Sequence, residues 1–372
     1  MIPVKNWVWI GSFVLCLIPI HSATADDWPH WRGPGLNGVS KETDWTTSWP
    51  SDGPKQLWKA SVGTGFSSVA VANGRLFTLG NKEETDTVYC FDAETGTQLW
   101  KYSYACALDS IYYEGGPGST PTVDGERAYT LSKRGHLFCF DAGTGKVLWR
   151  HNLMEETGSA KPRWGFAGSP VIEGNLLFLN VGGAGAAVEK TSGKLAWKSD
   201  TNAAGYATPI LYTAKGERCA AIFSGKALIG VRVEDGKELW QLPWIERWNL
   251  NTADPLLIGD KLFISTWDRG CAMLQIGSGA PKVLWENKVL RHHFNCGVHL
   301  HGFIYGINGN TDQPDRDLRC VEGATGDRVR SSCKDSGRPS VSSQHHRHQT
   351  QGGDGTSSIG YQRQSPSPRL AN

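Results

Sequence analysis

The chain lacks most of the patterns that would declare a chemistry. Its nine cysteines include no adjacent pair and no Cys-x-x-Cys, which removes thioredoxin-like redox motifs and the tightest zinc frames. No Gly-x-Ser-x-Gly elbow and no His-Glu-x-x-His occurs, so the sequence signatures of α/β-hydrolases and zinc proteases are missing. No useful length of chain repeats its apolar residues with a helical period, and the reading is nearly pure β. Excess charge is also scarce. Lys and Arg total 38 against 36 Asp and Glu, and the resulting +2 is dispersed, which argues against nucleic acid and anionic membrane partners.

Long apolar runs are nearly absent too. Trp7–Ile20 is 14 residues, short of the roughly 20 that span a bilayer. With Lys5 before it and Ala23-Thr24-Ala25 after it, this run reads as a secretory signal cleaved after Ala25. Cys16 is not preceded by the small residue that a lipoprotein signal places there. The expected location is therefore secreted or periplasmic, with no transmembrane segment. Eight cysteines survive signal removal, and an oxidising compartment invites a disulfide reading. However, Cys90, Cys139 and Cys320 hold one repeat position in different modules and read as small buried hydrophobes, so no disulfide is expected.

What the chain does have is repetition. Leu137–Arg150, LFCFDAGTGKVLWR, recurs as Val88–Lys101, VYCFDAETGTQLWK, with weaker copies at 186–198, 229–241, 272–286 and 318–331. Trp58, Trp100, Trp149, Trp197, Trp240 and Trp285 mark the copies, with Arg330 where the next Trp would stand; the spacings are 42, 49, 48, 43, 45 and 45. A period in the forties predicts a propeller or array. The apolar run before each Asp and the Val-Leu-Trp after each Gly favour strands, and Asp-Ala-x-Thr-Gly between them is turn chemistry. A second hairpin upstream, turning at Asp-Gly, Glu-Gly or Gly-Asp, makes a four-stranded blade. The recurring Trp is long enough to wedge between neighbouring blades.

With these residues in view, the chain resembles the secreted PQQ-like β-propeller repeat proteins, whose blades carry Ala-x-Asp-x-x-Thr-Gly-x-x-x-Trp. It also resembles their relative, the propeller lipoprotein of the outer-membrane β-barrel assembly machinery. DAETGTQLW, DAGTGKVLW and the opening WPHWRGPGLNGVS carry the resemblance, which runs from Trp28 to about Asp327. It implies an all-β, eight-bladed ring closed by an N-terminal strand at Gly53–Ala60, of which about six complete modules are present here, leaving the ring incomplete. The expected organisation is a signal at 1–25, an extended segment pinned across the propeller at 26–52, repeats at 53–330, and a disordered or frame-shifted tail at 331–372. In that tail no Trp occurs and ten Ser crowd 42 residues, a composition that cannot bury a core.

Residues entering each innermost strand should form a funnel around the central channel. They contribute Arg163, Trp164, Tyr206, Asn251, Asp254, His293 and Asn295 as a candidate ligand site. His292, His293, Cys296, His299 and His301 lack the spacing of strong metal motifs, so no metal site is expected. The resemblance raises PQQ with Ca²⁺ as a cofactor, and Asp254 would be the catalytic base of such an enzyme. Family dehydrogenases, though, use an adjacent-cysteine disulfide that this chain lacks, and Asp254 with Asn251 is thin ligation for an ion that takes six to eight oxygens. The favoured expectation is a non-catalytic binding or interaction scaffold with an envelope protein or glycan partner. A PQQ-dependent dehydrogenase of alcohols or sugars is the alternative.

Overall fold

The computed structural model describes residues 26–43, 46, 48–202, 204–310, 316–329 and the backbone of 357–361. The predicted signal at 1–25 lies outside the described residues, as does most of the tail. Within that tail the described residues are the strand Ser357–Tyr361.

Every complete repeat is a meander of four antiparallel strands. Blade 1 is built from Ala70–Ala72, Arg75–Lys82, Thr85–Asp92 and Gln98–Ala105. Four more four-stranded blades follow at 122–152, 171–198, 210–243 and 256–287. Blade 6 has three strands, Val298–Leu300, Phe303–Asn308 and Asp317–Glu322. Its fourth position is reduced, among the described residues, to a Val321–Arg328 bridge and the bond from Val329 N–H to Cys320 O at 2.9 Å. Among the described residues the count is thus five four-stranded modules and a three-stranded sixth. The N-terminal strand Trp58–Gly63 pairs antiparallel with Ser357–Tyr361. One short helix, Leu153–Thr157, interrupts the β-structure of the described residues.

The repeat motif explains both the turns and the packing. Asp141 Oδ1 accepts hydrogen bonds from the Thr144 N–H at 2.8 Å and the Thr144 hydroxyl at 2.7 Å, and Asp92 does the same with Thr95. These bonds fix the turn before the fourth strand. In all five complete blades the third and fourth strands slip register just beyond the pair that contains the Trp, for example at Cys139/Phe140 opposite Trp149. Such a bulge bends the strand and increases its twist. The hydrophobic core lies between blades, not within them. Phe77, Cys90 and Trp100 of blade 1 pack with Phe138 and Phe140 of blade 2, and the pattern repeats around the molecule.

The indoles lock these interfaces. Trp58, Trp100, Trp149, Trp197 and Trp285 each donate Nε1–H to a carbonyl of the next blade: Ala93, Ala142, Lys190, Val233 and Gly323, at 2.9–3.2 Å. Each also lies on the motif glycine of that blade, where a Cβ would approach the ring to 2.4–2.8 Å at Gly96, Gly145, Gly193, Gly236 and Gly326. Trp240 is different. Blade 5 carries IGSGAPK where the others carry an Asp or Glu turn, and Trp240 folds over Gly230 of its own blade and donates to Tyr212 Oη at 2.9 Å.

Candidate functional site

The first strands of neighbouring blades lie against one another around the axis. Two residues before each strand sits one column of side chains: Ser68, Thr120, Ser169, Thr208, Asp254 and Cys296. From Ser68 to Asp254, each backbone N–H donates to the side chain of the same position in the following blade. Ser68 N bonds Thr120 Oγ1 at 3.2 Å, Thr120 N bonds Ser169 Oγ at 3.0 Å, and Ser169 N bonds Thr208 Oγ1 at 3.1 Å. Thr208 N bonds Asp254 Oδ1 at 2.7 Å, and Asp254 N bonds Cys296 Sγ at 3.1 Å. This girdle satisfies buried backbone donors that no ladder reaches. Asp254 is the acidic member of a column otherwise filled by Ser, Thr and Cys.

The N-terminal segment crosses the same axis. Trp28 makes a two-bond bridge to Val71 in blade 1, and Pro29 O accepts from Val123 N in blade 2 at 2.7 Å. Trp31 Nε1–H donates to Asp254 Oδ2 at 2.5 Å in the lead-in to blade 5, and Arg32 Nη2 donates to Gly297 O at 2.9 Å in the lead-in to blade 6. Leu36 packs against the core between blades 3 and 4. Residues 28–38 therefore plug the channel, leaving beside them a cavity of about 390 Å³ lined by Leu36, Asn37, Ile172, Leu211, Leu257 and His299 among others.

Burial sets the chemistry around the plug. Asp254, 6% exposed, has its carboxyl pushed up by burial, an effect opposed by the charge of Arg32 and by the bonds from Thr208 and Trp31. Burial and the adjoining Asp254 charge push the Cys296 thiol up to about 12, far from a reactive thiolate. Burial, reinforced by Arg32, pushes His292 down to about 3. Its Nε2 has no hydrogen-bond partner among the described residues, and it lies so close to Gly306 that a Cβ there would come within 2.1 Å. Buried Arg32 satisfies only Nη2, so its Nε and Nη1 have no oxygen or nitrogen partner among the described residues. Asp254, Trp31 and Arg32 thus tie the N-terminal segment to the lead-ins of blades 4, 5 and 6 in one buried knot. Among the described residues, no three His, Cys, Asp or Glu side chains converge to hold a metal.

A second group stands at the mouth, on the loops that lead into blades 2, 3 and 4. Arg163 Cζ lies 5.5 Å from the ring centre of Tyr112 and 4.9 Å from that of Trp164, and Trp164 meets Tyr206 edge-on at 6.1 Å. The loop bearing Tyr112 is tied down from below. Lys133, 1% exposed, donates Nζ–H to Leu108 O at 2.6 Å and Asp109 O at 3.3 Å. Asp109 also pairs with Arg134 at 2.6 Å and Lys161 at 3.4 Å, and Trp164 Nε1 donates to Ile111 O at 3.2 Å. Burial, offset in part by the backbone of Trp164, pushes the Tyr206 phenol up to about 12, so it stays neutral.

The residues read as one funnel site thus separate. Arg163, Trp164 and Tyr206 come together at the rim. Asn251 is fully buried and donates to Ser224 O at 2.7 Å and Trp244 O at 3.1 Å, while Asp254 belongs to girdle and plug. His293 bonds Asn310 at 2.7 Å and lies beside the Phe294 ring, and Asn295 accepts from Ile307 N at 3.3 Å, both beside blade 6. Sequence reasoning missed the roles of Tyr112, Lys133, Trp31 and Arg32. The girdle column was visible in the aligned lead-ins, Ser-Thr-Ser-Thr-Asp-Cys, and would have marked Asp254 as its member.

Fold and girdle define a protein built on blades around a plugged axis. The chain belongs to the PQQ-like β-propeller family: the family model described as outer membrane protein assembly factor BamB matches residues 50–112 and 87–332. Among solved structures, BamB from Moraxella catarrhalis is similar at 14% identity and a TM-score of 0.45, covering 66% of this chain and 81% of its own. A quinohemoprotein alcohol dehydrogenase from Pseudomonas putida is similar at 14% identity and 0.46, covering 71% of this chain and 55% of its own. The quinohemoprotein alcohol dehydrogenase from Comamonas testosteroni is similar at 14% and 0.49, covering 82% and 48% respectively. The chain spans about half the length of these two dehydrogenases. No curated protein sequence matches the chain.

Proposed function

We propose that this protein is a non-catalytic binding scaffold, exported to the periplasm or cell surface, that presents its loop rim to an envelope protein or glycan. The observation that carries this reading is the plugged axis. The carboxylate that oxidative chemistry at the channel would need, Asp254, has one oxygen committed to Thr208 N–H and the other to the Trp31 indole. The residues present do not fit PQQ held by Ca²⁺, because that carboxylate is occupied by donors and the charge acting on it is the cation of Arg32. Function has to be argued from the site and not from the fold, and the exposed chemistry here lies at the rim. The family description, assembly of outer membrane proteins, agrees with a binding role in the envelope.

The test is calorimetric titration of the folded protein with PQQ and Ca²⁺, after circular dichroism has shown β-structure. No saturable heat is expected. Micromolar or tighter binding that disappears in Asp254→Ala would overturn the scaffold reading in favour of a PQQ-dependent dehydrogenase.

A further inference from the structure

Tyr112 is the exposed residue whose conformation most needs an explanation. Its φ is +64°, a region that bulky side chains rarely occupy, and the residue is 89% exposed, so no burial offsets the strain. Strain of this kind persists only where the surroundings over-determine it, and they do so here. Ser110 Oγ donates to Glu114 O at 2.7 Å, Tyr113 Oη reaches Trp164 O at 3.4 Å, and the buried Lys133 holds the carbonyls of Leu108 and Asp109. A lysine desolvated to hold two carbonyls is a costly way to shape a surface loop. It yields a rigid loop that lifts one aromatic ring into solvent.

Beside that ring stands Arg163. Its neighbours Tyr112 and Trp164 contact the guanidinium, and no carboxylate among the described residues pairs with it. Asp109, in the loop that bears Tyr112, is already paired with Arg134 and Lys161. The rim thus offers flat aromatic surface next to an unspent planar cation, whose N–H fork matches a carboxylate with two bonds.

We propose that the Tyr112–Arg163–Trp164 rim binds an acidic, uronate-containing glycan; this rests on the scaffold reading above and names its ligand. A hexuronate carries both required features on one rigid unit: an apolar C–H face for an aromatic ring, and a carboxylate fixed to the same pyranose. An acidic peptide presents its carboxylate on a flexible stem with no such face. Holding the aromatic and the cation rigid before binding lowers the ordering cost of capture.

The experiment is calorimetric titration of the full chain with alginate oligosaccharides, with neutral dextran oligomers and poly-glutamate as comparators. Saturable binding to alginate alone is expected. Tyr112→Ala and Arg163→Gln each weaken it about tenfold, whereas Tyr112→Phe keeps it; circular dichroism and the urea midpoint check that each variant is folded. Native-like affinity in both weakening variants, equal binding of dextran, or no alginate binding by the native chain overturns the proposal. Poly-glutamate binding abolished by the same variants would transfer the site to acidic peptides, overturning the glycan while leaving the scaffold reading intact. That reading fails separately, through the PQQ titration.

Discussion

The seat beneath each docking tryptophan can be weighed by one substitution and its control in the same blade. Gly145 and Gly125 both have positive φ, +73° and +56°. An alanine at either carries the left-handed penalty of about 1–2 kcal/mol. At Gly125 nothing lies within 4 Å of the new methyl, whereas at Gly145 it would stand 2.6 Å from Trp100 Cδ2. Relieving that overlap costs a further ~1–3 kcal/mol of overpacking. If the indole tilts away, it also loses its 2.9 Å bond to Ala142 O, worth about 1 kcal/mol. Gly145→Ala should therefore lose roughly 3–6 kcal/mol against about 1–2 for Gly125→Ala. Urea unfolding reads the difference as a larger fall in midpoint at unchanged slope. Equal losses in the two variants would refute the idea that the glycine is a seat and leave it as turn chemistry alone.

Removing the indole donor in Trp31→Phe leaves Asp254 Oδ2 buried and short of its partner, a loss of about 1–3 kcal/mol in urea titration; an unchanged midpoint would show that the plug does not hold the axis. Thr120→Val keeps the shape but takes away the acceptor of Ser68 N–H, and a cost of about 1–3 kcal/mol is expected from the orphaned buried donor, with hydrogen exchange at Ser68 as the direct readout. His292 should make the fold acid-sensitive. Its folded value of about 3 against 6.5 means that between those limits the unfolded chain holds the extra proton. The stability it confers is complete above pH 6.5 and is lost as pH falls toward 3, at roughly 1.4 kcal/mol per pH unit. Urea midpoints at pH 7 and pH 4 should diverge less in His292→Gln than in the native protein, and parallel declines would dismiss the effect.

The repeat alone determined the blade. Asp-Ala-x-Thr-Gly dictates a turn wherever it lies, and a Trp every forty-odd residues dictates an apolar wedge at one structural position, so strands, hairpins and interface could be read from the sequence. The exception was legible as well: where blade 5 replaces the motif by IGSGAPK, Trp240 finds no seat and turns back on Gly230 and Tyr212. The site was different in kind. The sequence placed Asp254 in the funnel, as the base only of an enzyme, but a single sequence does not show that Trp31, 223 positions away, would donate to one of its oxygens and a neighbouring blade to the other. Tyr112 and Lys133 carry no motif, and their meaning arises only when a buried ammonium meets the carbonyls of a loop from the preceding lead-in. Local turn and strand chemistry acts over a few residues and is written in order along the chain. The plug, the girdle and the rim depend on groups made neighbours by the radial stacking of blades, and only the tertiary structure decides those distances.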